Sequence, residues 1–175
     1  MKDRYVIDTN VLIAASAADP ETQKEIDATP DDPDLLLEIW LWLDTFRQGD
    51  VRMILDLEGE IYNEYCRKLG FNDFGIQVVM HKWQTASVDD VLVSYDADGH
   101  GILPASLAHT IHDLADRKMV AAALSSYAEF NEGCVAFAGD TDWHGWEDEL
   151  LKHNVHLEPL IEKWSRAKYL EKLAR

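Results

Sequence analysis

The feature that most constrains this chain is a regular alternation of short apolar runs with longer amphipathic segments. Tyr5 to Asp8, Val51 to Asp56, Val91 to Tyr95, Cys134 to Gly139 and Val155 to Leu157 read as strands. Between and after them, Val11 to Ala18, Leu35 to Gln48 with Asp34 as N-cap, Leu57 to Leu69 and Phe74 to Gln84 read as helices. Ser106 to Phe130, His144 to His153 and a polar C-terminal segment from about Pro159 complete the helical set. Strands that alternate with helices cannot pair as hairpins, so they predict an α/β fold: a three-layer α/β/α sandwich on a mainly parallel central sheet. Right-handed crossovers then bring the carboxyl ends of the strands to one edge, where ligands bind.

The chain has 175 residues, a length suited to a single domain, and insertions are expected near 19–49 and 71–103. "DPETQKEIDATPDDPD", Asp19 to Asp34, reads as an exposed acidic loop. No apolar stretch has the length of a membrane span and the N-terminus has an acid inside its first apolar run, so a soluble, cytoplasmic protein is expected. Cys66 and Cys134 predict buried, reduced thiols. With 33 acidic against 16 basic side chains, the net charge of -17 disfavours loose binding to nucleic acid or anionic membrane. A polyanionic substrate would need metal ions or a local basic patch.

Four acids fall where the fold predicts a ligand edge. Asp8 ends the first strand; capping the next helix would explain it alone. Asp116 precedes Met119, Val120, Ala123, Leu124 and Tyr127 by 3, 4, 7, 8 and 11 residues, which puts it on the buried stripe of a helix, with Arg117 and Lys118 on the other face. A core salt bridge would explain Asp116 alone. Asp113 lies one turn earlier. Glu64 shares a face with Leu57 and Ile61, and Glu60 is a weaker candidate; a solvated acidic face is the ordinary explanation. Asp140 and Asp142 follow the strand "CVAFA" in a turn that Asp and Gly form readily. Together, these separate explanations require four acids to reach one edge by accident. Clustered carboxylates repel, by about 4 kcal/mol for charges 4 Å apart at an effective dielectric of 20, and oxygen-only donors suit Mg²⁺ or Mn²⁺.

The stretches "VIDTNVLIAA", "IYNEY", "DRKMVAAAL" and "AFAGDTDW" resemble, in that order, the motifs of the PIN-domain family of metal-dependent ribonucleases, VapC-like members included. The resemblance implies that Asp8, Glu64, Asp116 and Asp140 form the catalytic metal site, with Asp142 as an auxiliary acid. It also implies that Thr9 or Asn10 orients Asp8. The implied activity is Mg²⁺- or Mn²⁺-dependent RNA hydrolysis leaving a 5′-phosphate and a 3′-hydroxyl. The implied partners are an RNA substrate and, for toxin members, an antitoxin-like protein and a second copy of the chain. The helix "LLLEIWLWL", with Trp40 and Trp42, has more apolar surface than one face buries. The sequence does not select among Arg4, Arg52, Lys82, Arg117 and Lys118 as contacts to RNA.

Two motifs are set aside. "DADGHGILPASL", Asp96 to Leu107, imitates a calcium loop, but His100 replaces an oxygen ligand and Leu107 stands where the bidentate Glu belongs, so a turn is expected. A haloacid-dehalogenase-type phosphohydrolase would need a second Asp where Asn10 stands. A non-catalytic module binding RNA or protein is the remaining alternative.

Overall fold

The computed structural model describes residues 1–22 and 24–175. Five strands form one all-parallel sheet in the order β3-β2-β1-β4-β5. They are β1 (Arg4–Ile7), β2 (Arg52–Asp56), β3 (Val88–Val91), β4 (Gly133–Phe137) and β5 (Val155–Pro159). The helices are α1 (Thr9–Ala17), α2 (Pro33–Gln48), α3 (Glu60–Lys68), α4 (Phe74–Gln84), α5 (Ala105–Thr110), α6 (Arg117–Phe130), α7 (Trp143–Lys152) and α8 (Glu162–Leu173). The architecture is the expected α/β/α sandwich. The chain first steps outwards from β1 to β2 and β3, then returns across the sheet to β4 and β5, so the strand order reverses between β1 and β4. Such a switch point leaves a crevice at the carboxyl ends of the two strands.

The central strands are apolar because helices cover both of their faces. Tyr5, Val6, Ile7, Val135, Ala136 and Phe137 are fully buried. Helix α6 runs over the sheet, and its Ala121, Ala122 and Ala123 are small enough to bring the two backbones close. At Gly133 the approach is tight enough that a Cβ would meet the Ala123 carbonyl oxygen.

Some boundaries differ from the sequence reading. The single helix expected over Ser106 to Phe130 is two helices, α5 and α6, separated by an irregular connection. Asp113 accepts the Ala115 amide at 2.8 Å, a local bond that competes with helix. The Arg117 side chain donates to the carbonyls of Ala108 at 2.7 Å and Ile111 at 3.1 Å, satisfying acceptors that the interruption frees. Strand β3, expected at Val91 to Tyr95, lies earlier; its two aspartates break the apolar pattern, yet Asp89 is held by Arg4 and Arg52 and pairs in the sheet. Helix α2 is capped by Asp32 rather than Asp34, with Pro33 at its first position. Cys134 is buried, whereas Cys66 is exposed on the outer side of α3.

In α2, Ile39, Leu43 and Phe46 fill the core. Trp40 stacks on Phe74, and Trp42 stacks on Phe46 and donates to Glu158 at 3.2 Å. Leu37 and Leu41 are left exposed. No helix among the described residues is long and apolar enough to cross a membrane.

Candidate metal centre

Two strands in this sheet end in a buried aspartate, and the two residues behave differently. Asp56, at the end of β2, meets all the donors its position offers. Its carboxylate accepts the amides of Glu60 at 2.9 Å and Ile61 at 2.8 Å, and the Tyr95 hydroxyl at 2.8 Å. It is a structural cap for α3. Asp8, at the end of β1, has the same sequence signature and also precedes a helix, yet its side chain makes no regular capping bond; only the amide and side chain of Asn10 lie close enough to favour its charged form. Its backbone amide donates to Ala136 at 2.9 Å, which fixes it at the crevice between β1 and β4. Its Oδ2 is buried without any hydrogen-bond partner.

Asp116 repeats this pattern. The break before α6 leaves it at the N-cap position of that helix, and its side chain makes no capping bond there. It is buried, and its Oδ2 also has no partner. A buried carboxylate oxygen without a donor is costly, so two of them on acids close enough to act on each other call for a proton or a cation.

The electrostatics tie the acids together. Burial, followed by the charges of Asp140 and Glu64, pushes the Asp8 carboxyl up to about 8; the polar groups of Asn10 act in the opposite direction. Burial, then Asp8, Asp140, Asp113 and Glu64, pushes Asp116 up to about 9. Asp140, half-buried in the turn after β4, is also raised, by burial and then by Asp142 and Asp113. Its Oδ1 accepts the Asp142 amide at 2.9 Å. The turn is seated by Gly139, where a Cβ would run into the Thr29 carbonyl oxygen.

The other expected site residues take supporting positions. Glu64 reaches the cluster from α3, but one carboxylate oxygen accepts the Thr9 hydroxyl and the other pairs with Lys118. Thr9 therefore orients Glu64 rather than Asp8. Lys118 does not lie on the far face of α6; its long side chain is buried and folds back so that its ammonium also donates to the Ala115 carbonyl at 2.9 Å. This lysine is the site residue that helical spacing misses, because a first-turn side chain of that length can reach around the end of its helix. Asp113 is exposed, and Asp142 pairs with Lys172 of α8. A cleft of about 460 Å³ opens beside these two acids, lined also by His109, His112, Trp146, Tyr169 and Lys172.

The basic side chains weighed for RNA contact are engaged internally. Arg4 and Arg52 hold Asp89. Lys82 is buried, donates to Gly49 at 2.8 Å and Val51 at 2.7 Å, and is lowered to about 8 by burial. Arg117 and Lys118 bind carbonyls.

Among the described residues, the three metal-type side chains whose ligand atoms all lie within 4.8 Å of one another are Asp96, Asp98 and His100. That loop is a turn, as its sequence implies: Asp96 accepts the amides of Asp98 and His100, each at 2.9 Å, and Gly99 has a φ of 83°. It could hold an ion at the surface, with Asp96 and Asp98 exposed. The acids at the crevice do not meet that spacing, but two of them, Asp8 and Asp116, have unsatisfied buried oxygens. The donor set of Asp8, Asp116 and Asp140 is all oxygen and fits a hard divalent ion. Comparison with protein-family profiles, curated proteins and solved structures returned no match.

Proposed function

We propose that this protein is a metal-dependent ribonuclease whose Asp8, Asp116 and Asp140 hold Mg²⁺ or Mn²⁺ at the β1/β4 crevice. The observation that carries the reading is the pair of buried, partnerless Oδ2 atoms on Asp8 and Asp116. Asp56 shows that this chain satisfies a strand-end carboxylate where it serves only the fold. The four motifs that resemble the PIN-domain family supply the substrate class, RNA, and the expectation of an antitoxin-like partner.

A bound divalent ion would lower the pKa of a water and stabilise charge on the phosphate being attacked. The chain's own residues do the rest. Asp8 and Asp116 give up their protons as ligands, Asp140 approaches from the turn after β4, and the Thr9 hydroxyl and Lys118 ammonium fix Glu64 against them. The cleft beside Asp113 and Asp142 offers the half-buried Tyr169 to an unpaired base, and Lys172 would meet a phosphate only by leaving Asp142. With so much acid around it, the substrate must be drawn in chiefly by the metal-bound site.

The test is cleavage of end-labelled single-stranded and structured RNA in Mg²⁺, Mn²⁺ or EDTA, by wild type, Asp8→Asn and Asp116→Asn. Metal-dependent cutting, absent from both variants and leaving 5′-phosphate ends, is the expected result. Internal engagement of Arg4, Arg52, Lys82, Arg117 and Lys118 favours a second reading, a non-catalytic module that binds a protein. Wild type that binds metal but cuts no RNA would select it.

A further inference from the structure

The carboxylates at the crevice fall into two kinds. Asp8 and Asp116 each keep a buried oxygen without a partner, whereas both oxygens of Glu64 are taken, one by the Thr9 hydroxyl and one by the Lys118 ammonium. Lys118 is itself buried and is braced by the Ala115 carbonyl at 2.9 Å, so its charge is fixed inside the cluster. It cancels the charge of Glu64. What remains for a cation is Asp8, Asp116 and Asp140, three negative charges when ionised, which one divalent ion nearly balances. A second ion bound through Glu64 would have to sit against the ammonium, where like charges repel at contact distance.

We propose that Lys118 is a built-in counter-cation that withdraws Glu64 from the ligand set, making this a one-metal centre. The inference rests on the divalent-ion reading of Asp8, Asp116 and Asp140. Lys118 is thus a positioning residue, acting through Glu64.

The test counts Mn²⁺ per chain by calorimetric titration and by the electron paramagnetic resonance signal of free Mn²⁺. It compares wild type, Asp8→Asn, Lys118→Met and the charge-balanced double variant Glu64→Gln/Lys118→Met, each also carrying Asp98→Ala so that the surface turn of Asp96, Asp98 and His100 adds no ion to the count. Wild type should take one ion. Lys118→Met, which frees the Glu64 carboxylate, should take a second. The double variant should return to one ion with an affinity within about tenfold of wild type, the lower bound of what losing a ligand's supporting partner costs. If Lys118→Met does not fold, the double variant, which buries no unpaired charge, decides alone. Two ions on wild type, one ion on a folded Lys118→Met, or a double variant whose affinity falls by more than about tenfold would overturn the role of Lys118. Wild type that binds no Mn²⁺, or an Asp8→Asn variant that binds it equally well, would overturn the metal centre itself.

Discussion

Replacing Asp8 by Asn should stabilise the metal-free protein, and by an amount that grows with pH. In an unfolded chain an aspartate ionises near 3.9. In the fold, burial and the charges of Asp140 and Glu64 hold Asp8 protonated up to about 8. Between these values the native state keeps a proton that the unfolded state has lost, so stability falls as pH rises through the window. Below about pH 4 the carboxyl costs nothing on this account. Each pH unit inside the window is worth roughly 1 kcal/mol or a little more, which gives about 4 kcal/mol at pH 7 and about 1–2 kcal/mol at pH 5. The Asn amide is uncharged but still needs partners in the crevice, which returns about 1–2 kcal/mol. The net gain is then about 2–3 kcal/mol at pH 7 and close to zero at pH 5, or roughly 4–12 °C in Tm at pH 7 for a chain of this size. Thermal melts followed by circular dichroism in EDTA at both pH values measure it. Saturating Mn²⁺ should raise the Tm of wild type and leave the variant unmoved. A variant that is less stable than wild type by the same amount at both pH values would show that Asp8 is a structural acceptor of the Asp56 kind and not a buried acid without a partner.

Asp56→Ala should lower stability by about 3 kcal/mol, since two helix amides and the Tyr95 hydroxyl lose their acceptor; an unchanged urea midpoint would contradict the capping role. Because Asp8 and Asp116 are held protonated near neutrality, Mn²⁺ binding at pH 7 should release roughly one to two protons. Calorimetry in buffers of different ionisation enthalpy reads that number, and binding without proton release would show the acids already ionised. Gly139→Ala should weaken Mn²⁺ binding as well as lower Tm, because relieving the clash with Thr29 moves the turn that carries Asp140; a lower Tm with unchanged affinity would show that this turn does not help to hold the ion.

The order of strands and helices was readable because its signals are local and repetitive: buried runs such as Tyr5 to Ile7, and the amphipathic period of α2 and α4. The place of Asp8 at the carboxyl end of β1 was readable for the same reason, since an apolar run that ends in Asp marks a strand end; Asp116 was expected inside one continuous helix and instead stands at the N-cap of α6. What escaped the sequence depends on contacts between distant segments. Nothing near Asp8 and Asp56 distinguishes them, and only Tyr95, 39 residues beyond Asp56, and the fit of α3 reveal that one is satisfied and the other is not. Helical spacing turned Lys118 away from the acids, yet the chain breaks before Asp116 and the lysine folds back onto Glu64. The polar strand β3 was hidden because Arg4 and Arg52, from two other strands, neutralise its Asp89. The calcium-like loop shows the reverse case: a local motif with ligand atoms in place, whose acids already serve a turn.

The most direct measurement for the central claim is a crystal grown with Mn²⁺ and examined for anomalous scattering at the manganese absorption edge. One strong peak is expected at the β1/β4 crevice, about 2.1 Å from the Oδ2 atoms of Asp8 and Asp116, with Asp140 drawn towards it. A peak confined to the Asp96, Asp98 and His100 turn, with the crevice empty, would contradict that claim.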